Sequence, residues 1–476
     1  MKSSEAVGVG DPYGDFQTPP ALAEEVWGAL DVDDVDVMVE PTVGLGAFVR
    51  TAPAAARSKR WLAWDVNAEY VETSRTLLAA QGIAGSVDRM NVFDLDPGAV
   101  REEVAGKVVL ALGNPPWVTN SVQGRMEVRN LPAKRNRFGL KGFDALTGKA
   151  NFDIAEAILL NLIEVLGSAR ELRLAFLVKR SVAMKMARDL LGQPGVAGAK
   201  FFGIDARRWF GAAVEAGLFI VRLTPGDPAV ESTIDVYPTL GGSRSTSAGY
   251  LDGVFVEDLD AYASAAHLEA GPDDRLVWRQ GLKHDLSKVL ELRRTADGLV
   301  NGFGEAVDIE EEALSPLYKS SDLAAGRSPR RWFPLYQTDL SGPVPHLEEE
   351  WPKLAAYLQS HRVRFDARKS RIYRGKPAFM LFGVGEYTTA PFKVAISGFY
   401  DDPTFRLLEP GADGAPPLVD DTCYLLPFWS REEAAQMHSH LQSEEVGAFL
   451  AAVADRTAKR PYTKAVLGRI SVPAAA

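Results

Sequence analysis

The sequence predicts an α/β fold with an open, mostly parallel sheet, and three observations carry that expectation. Short aliphatic runs of strand length alternate with segments of helical period through the first half of the chain. The run Val108-Val109-Leu110-Ala111-Leu112-Gly113 is apolar at every position, as in a strand covered on both faces, and it stops at Pro115 and Pro116, which cannot continue a ladder. A turn with two glycines, Gly44 and Gly46, follows another apolar run and enters a helical pattern, so that the backbone there can approach a ligand without a Cβ in the way.

Composition sets the outer limits. The chain has 476 residues, 46% of them apolar and 24% charged, which is ordinary for a soluble protein with room for two or three domains. No stretch is long and uncharged enough to cross a bilayer, and the opening MKSSEAVGVGDPYGDF lacks the apolar core of a secretory signal, so a cytoplasmic protein is expected. A single cysteine, Cys423, leaves no disulfide framework and no cysteine-built zinc site, and no metal is expected.

Taken in order, residues 11–20 (DPYGDFQTPP) lead into the helical pattern ALAEEVWGAL, with Thr18, Pro19 and Pro20 at its first turn; the amides there either cap a helix or face a ligand carboxylate. Residues 35–40 read as a strand ending at Glu40, followed by the turn from Pro41 and Thr42 to Phe48 and a helix from Phe48 through Ala56. A second strand, Trp61 to Trp64, ends in Asp65, where a carboxylate can accept the hydroxyls of a ribose. After a helix from about Ala68 to Ala80, residues 86–94 are expected to form a third strand ending at Asp94, placed to accept from an adenine amino group. The apolar strand that follows delivers Asn114-Pro115-Pro116-Trp117 to the same carboxyl edge, where open α/β sheets bind ligands.

The chemistry of that last turn follows from what an aromatic amine needs. An exocyclic amino nitrogen is a poor nucleophile because its lone pair is delocalised into the ring, and two acceptors on its two N–H groups favour a pyramidal, reactive nitrogen. The Asn114 side-chain oxygen and the Pro115 carbonyl are two such acceptors, and Trp117 can stack on the base. With these residues in hand, the segment from Phe16 to about Leu223 resembles the S-adenosylmethionine-dependent N6-adenine DNA methyltransferases of the gamma order, the TaqI type most of all. Phe16-Gln17-Thr18-Pro19-Pro20 matches their Thr-Pro-Pro motif, Glu40 to Phe48 their glycine turn, and Asn114 to Trp117 their Asn-Pro-Pro-aromatic motif. Glu40-Pro41-Thr42 departs from the Asp-Pro pattern of many members while keeping a carboxylate and the glycines.

The resemblance implies a Rossmann-like methyltransferase domain with a mixed central sheet over residues 1–228 and an α/β target-recognition domain over 229–476. It implies S-adenosylmethionine as cofactor, held by Thr18, Pro19, Glu40, Thr42, Gly44, Gly46, Asp65 and Asp94. Phe210, rather than its neighbour Trp209, is expected on the other face of a flipped base, unless the pair is simply core. Strands are expected at Leu172 to Val178, Phe201 to Asp205 and Gly217 to Leu223, and a helix from Asn151.

Charge bears on the partner. The formal net charge of −10 argues mildly against a nucleic-acid binder. Two local clusters argue the other way: Val118 to Lys149, with Arg125, Lys134 and Arg135, and His361 to Lys376, with Arg371 and Arg374. Either alone is more often a solvated face, but two on an acidic background point to focused phosphate contacts with double-stranded DNA. Tyr373, Tyr387 and Lys393 join Arg371 and Arg374 as candidate contacts in the second domain. The expected reaction is in-line methyl transfer to N6 of a flipped adenine by a protein for which a monomer is favoured, in a restriction–modification or phage-defence setting with any nuclease on a separate chain. Cytosine N4, a protein glutamine, and an inactive DNA-binding subunit remain alternatives.

Overall fold

In the computed structural model, residues 16–118, 153–228, 230–271, 275–343, 346–411, 413–455 and 458–472 are described. Arg125, Lys134 and Arg135 lie outside the described residues. The chain divides into two units, Met1–Asp260 and Ala261–Ala476.

The first unit contains helices α1 (Pro20–Gly28), α2 (Ala47–Thr51), α3 (Ala54–Arg57), α4 (Ala68–Ala80), α5 (Pro97–Val104), α6 (Ile154–Val165), α7 (Arg180–Leu190) and α8 (Ala206–Phe210). Its strands are β1 (Val37–Glu40), β2 (Arg60–Asp65), β3 (Gly85–Arg89), β4 (Val108–Gly113), β5 (Glu171–Lys179), β6 (Val196–Ile204), β7 (Ala216–Leu223), β8 (Thr233–Tyr237), β9 (Thr246–Leu251) and β10 (Val254–Val256). They form one sheet in the order β10-β9-β8-β6-β7-β5-β4-β1-β2-β3. β3, β2, β1, β4 and β5 pair in parallel, and β7 runs antiparallel to both β5 and β6. This is the mixed, Rossmann-like α/β architecture expected.

The reason β4 is apolar throughout is its central position. Val109 and Ala111 enter one core with Leu159 and Phe176, while Val108, Leu110 and Leu112 enter the core on the opposite face with Phe48 and Trp61. A strand with helices on both sides has no solvent face to spend on polar residues.

Three expectations change. The helix expected from Phe48 through Ala56 is two, α2 and α3, because Pro53 has no amide to donate and holds the preceding Ala52 in an extended ψ of 126°. The third strand stops at Arg89 rather than at Asp94. Asn91 accepts the Phe93 amide through its side chain (3.2 Å) and starts a 3-10 turn over Val92–Asp94, so a local side-chain bond replaces the ladder. The first unit also continues past residue 228, because β8 pairs in parallel with β6 and β9 and β10 add antiparallel strands to the same sheet.

The second unit is also α/β. Its largest sheet has the order Arg279–Gln280, Cys423–Phe428, Phe392–Ser397, Phe405–Leu408, all antiparallel, and two three-stranded sheets accompany it. Two of its helices, Arg431–Leu441 and Glu444–Val453, are each capped by a serine whose side chain accepts an amide of the first turn. Among the described residues, no helix is long and apolar enough to cross a membrane and no cluster of His, Cys, Asp and Glu is built to hold a metal ion.

Candidate active site

The carboxyl ends of β1, β2 and β4 open onto one cavity of ≈ 390 Å³. Seven of the expected residues line it: Thr18, Glu40, Thr42, Gly44, Asp65, Asn114 and Pro116. The glycine turn and the Asn-Pro-Pro turn therefore share one space, as the strand order requires once β1 lies between β2 and β4.

The turn is held by Asp65. Its Oδ2 accepts the Gly44 amide (2.9 Å) and its Oδ1 accepts the Asn67 amide (2.9 Å). Gly44 and Gly46 both have left-handed backbones, with φ of +52° and +72°. A Cβ at Gly44 would stand 2.7 Å from Gln17 Oε1, and that oxygen accepts the Leu45 amide (3.0 Å). A Cβ at Gly46 would stand 2.9 Å from Ser74 Oγ, which donates to the Gly44 carbonyl (2.9 Å).

Glu40 is the electrostatic feature of this half. It is 1% exposed, and its Oε2 has no hydrogen-bond partner. Burial raises its carboxyl pKa well above the ordinary carboxylate range, and the negative charge of Asp65 raises it further. A buried carboxylate with an unmet acceptor suits a ligand that brings a cation or a donor. A glycine cradle, the Asp65 carboxylate at its edge and an acceptor at Glu40 thus fit S-adenosylmethionine, with Thr18, Glu40, Thr42, Gly44 and Asp65 as the residues that would hold it.

Pro19, Gly46 and Asp94 do not line the cavity. Pro19 is the N-cap of α1 and gives its carbonyl to the Ala23 amide (3.1 Å), and Gly46 packs behind the turn against α4. Asp94 is exposed at the end of the 3-10 turn, while Asn91 and Phe93 of that turn face the cavity in its place. Gln17, Tyr70, Ile154 and Ile158 also line it, none of which sequence reasoning selected. Gln17 stood inside a quoted motif, and Ile154 and Ile158 showed the i, i+4 spacing of one helix face.

On the other side, the Asn114 Nδ2 donates to the Phe16 carbonyl (2.7 Å), which fixes the amide so that Oδ1 is the remaining acceptor. That Oδ1 is buried and has no partner. Thr42 Oγ1 donates to the Asn114 carbonyl (3.5 Å). The Trp117 indole donates to the Leu177 carbonyl of β5 (3.0 Å), pinning the ring. Phe210 is brought to it: the two centroids are 5.1 Å apart and edge-on, and Phe16 lies 5.6 Å from Trp117 and 5.7 Å from Phe210. Pro115 is buried beneath this cluster's strand end.

In the second unit the expected contacts separate into two groups. Arg371 and Arg374 are exposed on a 3-10 turn, and half-buried Tyr387 carries the Arg279 guanidinium over its ring at 5.4 Å. Tyr373 and Lys393 are corrections. Tyr373 is buried under the Arg368 guanidinium, 3.6 Å from its ring, and Arg368 is itself bonded to the Ala378 and Met380 carbonyls. Lys393 is 1% exposed, donates to the Thr388 (3.1 Å) and Ala390 (2.5 Å) carbonyls, and is pushed down to about 7 by burial. Neither side chain is available to a nucleic acid.

No family model matches the sequence. Over 472 residues, 97% of this chain and 96% of the relative, the chain is 34% identical to the type II methyltransferase M.NspV of a Nostoc species. A shorter stretch of 77 residues, 16% of this chain and 20% of the relative, is 42% identical to the ribosomal RNA small subunit methyltransferase C of Klebsiella pneumoniae. Among solved structures, a type I restriction-modification system methyltransferase subunit from Streptococcus thermophilus aligns at TM-score 0.33 and 15% identity, covering 48% of each chain. With near-complete coverage by a relative of this identity, and with a cavity that fits S-adenosylmethionine as its methyl donor, this chain belongs to the type II methyltransferase family.

Proposed function

We propose that this enzyme methylates N6 of an adenine flipped out of double-stranded DNA, as the modification component of a restriction–modification or phage-defence system of the TaqI-like gamma class. The observation that carries the reading is the Asn114 side-chain oxygen: buried, unpartnered, oriented by the Phe16 carbonyl, and in one cavity with the Gly44 turn. An acceptor left unmet at a strand end costs stability and is kept where a ligand donor will meet it.

S-adenosylmethionine supplies an electrophilic methyl group on a sulfonium sulfur. The chain's own residues do the rest by position and dipole. The Asn114 oxygen accepts one N–H of the target amine, the Pro115 carbonyl accepts the other, and both favour the pyramidal nitrogen that attacks. Trp117 and Phe210 stack on the base, and Arg371, Arg374 and Tyr387 contact the duplex. The motif order, the second unit and the similarity to a type II methyltransferase all support DNA over protein as the substrate.

The test is direct. With labelled cofactor and mixed-sequence duplex DNA, followed by digestion to nucleosides, label is expected in N6-methyladenosine. Label in N4-methylcytidine, or only in added protein, overturns the reading, and sequencing of the methylated DNA gives the recognition site.

A further inference from the structure

Resting on that reading, we propose that the Phe16 ring closes the base-stacking site from the side, so that a base enters only when this ring yields, and that Phe16 thereby sets how readily bases are accepted.

Three independent contacts place it there. The stacking walls touch each other: a base between Trp117 and Phe210 makes two ring contacts of at least about 4.5 Å each, and the 5.1 Å between their centroids does not hold one. The Phe16 ring covers the side of that pair, 5.6 and 5.7 Å from its members. The Phe16 carbonyl takes the Asn114 Nδ2–H, while the Asn114 Oδ1 meant for the target amine is shielded from solvent and unpartnered. The Phe16 ring therefore covers the closed stacking site, while its carbonyl holds the Asn114 amide with Oδ1 turned to the target amine.

The displacement is confined. Gln17 remains clamped to the Leu45 amide and Thr18 is buried at the head of α1, so Phe16 yields without unseating the glycine turn. An incoming base replaces the ring contacts and supplies the donor that Oδ1 lacks. Trp117 stays fixed by its bond to Leu177, and Phe210 is the wall that moves away.

The experiment uses the full chain with S-adenosylmethionine and duplex oligonucleotides carrying the site found by sequencing, one set with 2-aminopurine at the target position. Phe16→Ala is expected to raise the 2-aminopurine fluorescence amplitude and to lower KM for DNA, about tenfold for the loss of two ring contacts. Phe16→Leu, which keeps apolar volume and removes the ring, is expected between wild type and Phe16→Ala. A fall in amplitude would mean that Phe16 stacks on the base as an ordinary wall, and an unchanged amplitude with slower transfer would mean a structural role; either overturns the proposal. Wild-type protein that binds the cofactor and methylates no DNA overturns the underlying reading instead.

Discussion

Replacing Asn114 by alanine separates chemistry from folding more sharply than any other change in this cavity. The variant loses the Nδ2 bond to the Phe16 carbonyl (2.7 Å), a net cost of about 1 kcal/mol. It also removes a buried oxygen without a partner, which relieves roughly 1–3 kcal/mol. The two nearly cancel or favour the variant, so its melting temperature is expected at or slightly above wild type, on a scale of about 2–4 °C per kcal/mol for a unit of this size. Loss of one preorganised acceptor at the reacting atom lowers kcat by about 10²–10³. Cofactor affinity is expected to hold, because Asn114 acts on the amine rather than on the glycine turn. Thermal melts, calorimetry with S-adenosylmethionine and single-turnover transfer to DNA read the three quantities. Unchanged turnover, or a loss of activity matched by a drop in stability, refutes the assigned role.

Gly44→Ala puts a Cβ where Gln17 Oε1 now sits, on a backbone that costs an L-residue roughly 1–2 kcal/mol, and is expected to weaken cofactor binding about tenfold by calorimetry; an unchanged Kd would show that the turn does not cradle the ligand. Because the Glu40 carboxyl is raised when folded, the folded state holds the extra proton, and stability falls as pH climbs from the ordinary glutamate range towards the raised value. Urea unfolding should therefore show Glu40→Gln gaining on wild type as pH rises, while its cofactor affinity drops; a pH-independent difference would contradict the burial argument. Lys393 has the opposite sign: it is lowered to about 7 when folded against 10.5 for the free side chain, so the unfolded chain binds the extra proton and stability rises with pH between about 7 and 10.5. Lys393→Met should flatten that slope and leave DNA binding unaltered, whereas weakened DNA binding in a folded variant would restore it as a contact.

Most of the first unit was legible because its signals are local. The apolar run before Asn114 is apolar for one reason, two covered faces, and the prolines end it wherever it sits. Asp65 was legible for the same reason: it ends β2, and the end of β2 is where the glycine turn must be held. What was not legible depends on partners far away in sequence. Phe16 reaches Asn114 across 98 residues and Gln17 reaches Leu45 across 28. Asp94 was misplaced because a carboxylate after an apolar pair reads as a strand end, whereas the Asn91 side chain turns the chain earlier and puts itself in the cavity. In the second unit, charge patterning could not tell a solvated cation from a buried one: Lys393 was a candidate contact, yet its ammonium is taken up by two carbonyls of the preceding turn.

The energetics of the cavity explain why such residues are tolerated at all. Glu40 ends β1 and Asn114 follows β4, neighbouring strands paired through Val39 and Ala111, so two buried oxygens without partners stand at one sheet edge. Nothing in packing requires either: glutamine or an aliphatic residue would fill the same volumes at lower cost. On the proposed reading each atom is answered by a different molecule, the cofactor at Glu40 and the target amine at Asn114, and each binding event recovers a penalty that folding left outstanding. Ligands that meet these atoms therefore stabilise the fold as they bind, so the first unit is at its most stable when both halves of the cavity are engaged. With the two unmet acceptors on adjacent parallel strands, the proposed reading has the spacing between donor and acceptor of the methyl group fixed by the sheet itself rather than by its loops.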